Sequence, residues 1–309
     1  MADHDNSVNT SQDGIGGRLA NEFVNLSDLP MSISAGAGYD LFLDHAVQRV
    51  YGVAPGGLVK MSDYDVSSGF FPRTAATTRR AALAQLNQLG IDDENVFAQH
   101  SGQLLSDGLA LSLTAQEFLN DVPPLVTEFP ASPLINLSQN LERAAEMISI
   151  RKQLDMRRQI IFVRASGFDR HDRLNIWHNP AMAELSAGLA AFNQAMKELE
   201  VHSSVLTYTA SEFGRTLTNT GDGTDHAWGG NQILMGGGIK GGELFGSYPA
   251  LELDGSEDYN GDGRMIPSTS VTQHAATIAK WFGVPQSRLS AVVPNISNFS
   301  GQEDLGFFA

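Results

Sequence analysis

The chain has 309 residues, and 20 basic side chains against 35 acidic ones give a formal charge of −15. With 42% apolar and 18% charged residues it is not a disordered chain, and its acidity argues against nucleic acid or an anionic membrane surface as a partner. Zero cysteines exclude disulfides, thiolate-bound zinc, iron–sulfur clusters and thiol nucleophiles together. No apolar run approaches the roughly 20 residues of a membrane-spanning helix.

Residues 1–35 show neither a basic-then-apolar export leader nor an opening apolar strand, so they read as an irregular segment ahead of a single α/β domain at 36–309. In that domain the first helical pattern runs over 74–89, with Ala82, Leu86 and Leu89 at helical spacing and Gly90 as its stop. Thr114 and Glu117 have capping-box spacing and place a second helix ahead of Pro123 and Pro124. Between 133 and 158 lies the longest helical pattern, with Leu141, Ala144, Ala145, Ile148 and Met156 on the inner side. The period then changes: residues 159–163 form a short apolar run of the kind found in buried parallel strands.

The same order repeats. Met182, Leu185, Leu189, Phe192, Met196 and Leu199 follow helical spacing, and 204–209 reads as a β-branched strand. Strand, helix, strand predicts a βαβ unit with the two strands parallel in one sheet and the helix at 180–199 across one face. Residues 214–263 are glycine-rich and read mostly as long loops. Ser270 and Gln273 have capping spacing for a last helix that uses Val271, Ala275, Ile278 and Trp281 inside and stops at Gly283.

Ligands of open parallel sheets bind beyond the carboxyl ends of strands. After 159–163 comes Gly167-Phe-Asp-Arg-His171; after 204–209 come Ser211-Glu-Phe-Gly-Arg-Thr216 and Gly223-Thr-Asp-His226. Asp169, His171, Glu212, Asp225 and His226 are therefore expected at one rim, where carboxylate and imidazole donors suit a divalent metal. Asp225 has the alternative role of orienting His226. Arg215 is the candidate oxyanion clamp, or else a pin for a loop carboxylate. Trp177, His178 and Trp228 are candidates for a binding face or simple loop anchors. Other motifs are weak. The glycines at 236–242 lack phosphate-loop spacing, and Asp258 to Gly263 opens like a calcium loop whose twelfth position, Thr269, is not Glu. His4, His45, His100 and His202 have no supporting cluster, and there is no Gly-x-Ser-x-Gly elbow.

Together with Gly236-Gly-Gly-Ile-Lys-Gly-Gly242 and the stretch from Ile266 and Pro267 to Trp281-Phe-Gly283, these motifs resemble the DUF1501 family, bacterial proteins of undefined function placed in the alkaline-phosphatase/sulfatase-like superfamily. The resemblance runs through essentially the whole chain, from Asp3-His-Asp-Asn-Ser7 and 14–19 to near Phe299. It implies a three-layer α/β/α sandwich with a mostly parallel sheet, incomplete at its N-terminal side, and a periplasmic or extracellular setting. It also implies divalent metals (zinc, calcium, magnesium or manganese) and a small anionic ester, or a sulfated or phosphorylated glycan, as substrate. Asp169 and His171 would match the superfamily's carboxylate–histidine pair. Ser211-Glu-Phe213 would stand where Ser-Asp-His is usual, with His226 supplying the imidazole absent at Phe213.

Two departures accompany the resemblance. Arg170 replaces a usual small Thr. The export signal and the first core strand with its Gly-Gly-Asn-Asp-Gly-like metal loop, which precede this region in relatives, have no counterpart here. The expectation is half a catalytic site, with little ester-cleaving activity in this chain alone and a sheet edge that an oligomer or partner covers. The rival class is a noncatalytic structural, carbohydrate-binding or surface-binding protein.

Overall fold

The computed structural model describes residues 13–36, 41–54, 57–58 and 73–308. His4 and the Asp3 to Ser7 motif lie outside them. The segment 1–35, expected to be irregular, carries helix α1 (Ile15–Asn21) and strand β1 (Ser32–Ala35), all four residues of which are buried. β1 escapes an apolar-run reading because it is only four residues, Ser-Ile-Ser-Ala, between Met31 and Gly36. Its placement is nevertheless central. The sheet has the order β3-β2-β1-β4, with β2 (Val50–Ala54) and β4 (Ile160–Val163) both parallel to β1 and the short β3 (Gly57–Leu58) antiparallel to β2. The register sets Ile33 opposite Tyr51 and Ile161, and full burial of Ile33 contributes about 2–3 kcal/mol.

Alternation along β4 assigns its two faces. Ile160 and Phe162 pack with α1, α6 (Val271–Phe282) and α7 (Leu289–Val292). Ile161 and Val163 pack with α4 (Ser138–Ser149) and α5 (Leu174–Glu198). A third cluster joins Ile33, Tyr51 and Val53 to Met147 and Ile150, and to Ala115 of α3 (Val96–Asp121). Mixed α/β architecture with helices on both faces of a small parallel sheet is thus present; the full sandwich around one extended sheet is not what the described residues form.

The difference lies at the second strand of the expected βαβ unit. β5 (Leu206–Tyr208) does not join β4. It pairs antiparallel with β8 (Leu234–Gly236), while β4 uses one edge for β1 and, among the described residues, has no strand on the other. The crossover helix is real, but its buried stripe is Ala181, Gly188, Ala191, Phe192, Ala195 and Met196, and Met182 is exposed.

Helix ends follow local chemistry. α2 (Arg73–Ile91) passes through Gly90, and α3 begins far upstream of Thr114 because Asn95 caps it, its Oδ1 accepting from Phe97 N at 2.9 Å. α4 is shorter than its pattern, so Met156 is buried beyond the helix end. α6 has the expected capping box at Ser270 and Gln273 and ends at Gly283, whose φ of 111° favours glycine. Val271, expected inside, is exposed. The glycine-rich stretch holds a hairpin, β6 (Gly214–Asn219) with β7 (Thr224–Ala227), besides β8. No helix among the described residues is long and apolar enough to cross a membrane.

Candidate metal centre

The loop after β4 carries Asp169 and His171 out to the β6–β7 hairpin, which carries His226. Backbone bonds fix that meeting: Leu174 N donates to Asp222 O at 2.9 Å and Thr224 N to Arg170 O at 3.3 Å. Gly223 allows it, since a Cβ there would stand 2.1 Å from the His171 carbonyl carbon. His171 Nε2, His226 Nε2 and Asp169 Oδ1 then lie 3.0 Å from one another in all three pairs. All three side chains are about half exposed, at 50%, 47% and 55%. Among the described residues, this is the group whose histidine and carboxylate atoms could share a metal ion.

Supporting contacts orient the donors. The Phe213 ring stacks on His226 with centroids 3.9 Å apart and 15° between planes. Register pairs Arg215 with His226 across the hairpin, so both side chains share a face. Arg215 Nη1 donates to Asp169 Oδ1 at 2.6 Å, Nε donates to Thr224 Oγ1 at 3.0 Å, and Nη2 donates to the carbonyls of Arg170 and Thr224. Desolvation works to raise the Asp169 carboxyl; hydrogen bonds from His226 and Arg215 and the neighbouring imidazole charges outweigh it and hold the group below the ordinary carboxylate range.

The other expected residues stand apart from this trio. Asp225 accepts from His226 N, which holds its carboxyl low, and pairs with Arg264 at 3.0 Å. Glu212 is exposed on the turn before β6 and is not in the cluster of donors. Arg170, the expected intruder, instead lies over the Trp177 ring at 3.7 Å and donates to Gly167 O. Arg215 is mainly the pin of the two alternatives: four of its five N–H donors are spent on protein groups. Trp228 is exposed and tilts against Tyr259 at 4.5 Å, while Ser211 Oγ is spent on Phe213 O at 2.9 Å. The start of the calcium-like loop is closed on itself, Asp258 accepting from the Gly263 and Asp254 amides. Sequence reasoning missed Phe213 as a stacking partner and Arg264 as the counter-ion of Asp225. The two-residue alternation of β7 would have flagged the latter, because Asp225 and His226 must face opposite ways.

Residues 126–289 match the family described as "Protein of unknown function (DUF1501)", more than half of the chain. The chain belongs to the DUF1501 family. The matched segment holds α4, β4, α5, the hairpin and α6, and therefore every member of the trio; it is shorter than the near whole-chain likeness expected from the motifs. No curated protein and no solved structure matches this DUF1501 chain.

The donor set fits a metal. Bonds to one ion of about 2.0–2.2 Å bring its ligands within about 4 Å of each other, which these three atoms satisfy. Two imidazoles suit zinc or iron(II) better than calcium, magnesium or manganese, which prefer oxygen donors.

Proposed function

We infer that Asp169, His171 and His226 form a divalent-metal centre serving cleavage of a phosphate or sulfate ester, the chemistry of the alkaline-phosphatase-like superfamily that the motifs resemble. The observation that supports this most is the mutual 3.0 Å spacing of three donor atoms brought together from two segments far apart in sequence. When bound, the ion would supply Lewis-acid stabilisation of charge on the ester oxygens. Arg215 holds Asp169 in place and keeps one Nη1 hydrogen that can serve a substrate anion. His226 is steadied by Phe213, and its backbone carbonyl accepts from Arg264 Nε at 3.0 Å. The exposed Trp228 ring, two residues from His226, and the Tyr259 ring tilted against it offer flat apolar surface to the organic part of a substrate. An exported setting belongs to the same reading.

The test begins with the metal. The full chain, stripped with chelator and titrated calorimetrically with zinc, manganese, iron(II), calcium and magnesium, should bind one transition-metal ion, and Asp169→Ala or His226→Ala should abolish binding. Aryl phosphate and aryl sulfate then report chemistry. Turnover is expected to be slow, because no activated nucleophile stands beside the trio among the described residues, and to disappear in both variants. Absence of metal binding, or binding unchanged in the variants, refutes the centre. Metal binding with hydrolysis untouched by either substitution refutes the hydrolase role.

A further inference from the structure

The hairpin of α2 and α3 leaves apolar surface that its own fold does not cover. α2 packs mainly against α3, and the two come close at Gly102, where a Cβ would stand 2.9 Å from the Asn87 carbonyl oxygen. α3 docks on the sheet through its second half. There Arg49 Nη1 pairs with Asp107 at 2.9 Å, the Tyr51 hydroxyl meets Ser112 Oγ at 3.1 Å, and Ala115 joins the third core cluster with Leu111, Phe118 and Val122 against it. α2 and residues 96–106 of α3 thus form a two-helix arm.

Leu111, Ala115, Phe118 and Val122 recur at spacings of four and three and so lie on one stripe. Traced back toward the start of α3, the stripe passes Gly108, Leu104, Ser101 and Phe97. Leu104 is 44% exposed and Phe97 85%. The same stripe is therefore core at one end and bare at the other. On α2, Leu83, Asn87 and Gly90 are half-buried toward α3, whereas Leu86 and Leu89 are 65% and 68% exposed. Leu86 and Leu89 are rotated off that contact line in the same sense as Phe97 and Leu104 are off the Ala98–Gly102 line of α3. In antiparallel helices this sets all four on one side of the arm.

Three properties of this face match a second copy of the chain. The first is neutrality. Residues 81–91 and 96–106 include no Asp, Glu, Lys or Arg, in a chain 18% charged, although a solvated helix face normally carries charge. Two copies of a chain of charge −15 repel each other, and an uncharged face is where they can meet. The second is the arrangement of charge at its ends. Arg79 precedes Leu86 by seven residues and Asp93 follows it by seven, about 10 Å each way along the helix. A two-fold axis level with Leu86 sets the basic start of one α2, with Arg79 and Arg80, against the acidic turn of the other, with Asp92, Asp93 and Glu94. The third is area. At roughly 200 Å² for a fully exposed large side chain, these four residues and the 40% exposed Leu105 present about 600 Å² per copy. Two copies would bury about 1,200 Å² from them alone, where stable interfaces begin.

We propose that the chain forms a two-fold dimer in which the arms of two copies pack antiparallel as a four-helix bundle, with Leu86, Leu89, Phe97 and Leu104 at its centre. The dimer uses no residue of the metal centre.

The test is sedimentation equilibrium of the full chain in chelator, from about 1 to 100 μM. A species of twice 33.2 kDa is expected. Phe97→Glu puts an acid in the first turn of α3, which a helix start accepts, and should leave the far-ultraviolet circular dichroism unchanged. It should raise the dissociation constant at least about a hundredfold, since each dimer carries the change twice. If that variant does not fold, Leu89→Lys decides by the same measurement. The chain has no cysteine, so Leu86→Cys should cross-link copy to copy with a short bismaleimide, whereas Val126→Cys, 85% exposed beyond the far end of α3, should not. A monomer throughout the range, even one that binds phosphatidylcholine vesicles through this face, would overturn the proposal. So would a dimer equally tight in folded Phe97→Glu, or equal cross-linking through Val126→Cys.

Discussion

His274 makes the fold sensitive to acid at a position remote in sequence from the trio. It sits in α6, its ring 5.3 Å from both Tyr208 and Phe307, and its Nε2 is buried without a partner. Desolvation depresses its pKa from 6.5 to about 4, while burial raises that of Tyr208 to about 12, so the phenol stays neutral and offers no compensating charge. Between these two histidine values the unfolded chain takes a proton that the folded one refuses. Stability from this group is therefore complete above pH 6.5 and is lost as pH falls toward 4. At about 1.4 kcal/mol per unit, the whole window is worth roughly 3 kcal/mol, of which roughly 1.4 is gone by pH 5.5. His274→Phe keeps an aromatic ring of similar shape and removes the titration. Urea unfolding of both proteins at pH 7.5 and 5.5 should show the wild type losing about 1.4 kcal/mol more than the variant. At pH 7.5 the variant should be no less stable, since an unpartnered nitrogen has been removed. Equal pH dependence in the two proteins would refute the reasoning.

Three further outcomes follow from the geometry. Gly223→Ala drives a Cβ to 2.1 Å from the His171 backbone and should lower zinc affinity at least about tenfold without altering any ligand, whereas Gly230→Ala, with open space around it, should leave it unchanged; calorimetric titration reads both. Phe213→Ala removes the ring stacked on His226 and should cost about 1 kcal/mol of metal-binding free energy in the same titration, with little change in melting temperature. Ser270→Ala removes one half of the capping box on α6 and should destabilise the fold by about 1 kcal/mol in urea, leaving metal affinity intact.

Where a segment's own chemistry decides its structure, the sequence was legible. β4 announced itself as an apolar run, α6 by its capping box, and the trio by its position after β4 and on a glycine-flanked segment. Long-range pairing was not legible. The βαβ pattern joined β4 to β5 because both are apolar and a helix intervenes, yet β1, four residues of which two are serine, took the place beside β4. α3 was misplaced for a related reason: Thr114 and Glu117 mimic a cap within a helix whose true cap is Asn95, and the first apolar residues after it, Val96 and Phe97, are exposed and do not lie among its buried residues. Asp225 stands outside the donor trio because consecutive residues of β7 face opposite ways, and Glu212 is exposed on the bend before β6.

The placement of Arg215 bears most on what the centre can do. A guanidinium held by Thr224 and the Arg170 carbonyl has a fixed position, as the pin alternative requires. Its contact with Asp169 Oδ1 compensates a half-exposed carboxylate that already receives two imidazole nitrogens, and the same contact opposes a cation arriving at that oxygen. Both demands can be met, because a carboxylate has two oxygens and about four acceptor directions. A charge of +2 among Asp169 and two neutral imidazoles leaves a net positive site even before Arg215 is counted. On the proposed reading, that excess would favour an anionic ligand completing the coordination, as a phosphate or sulfate ester would. On the same reading, the arginine would lower affinity for the bare metal and raise the preference for metal and anion together.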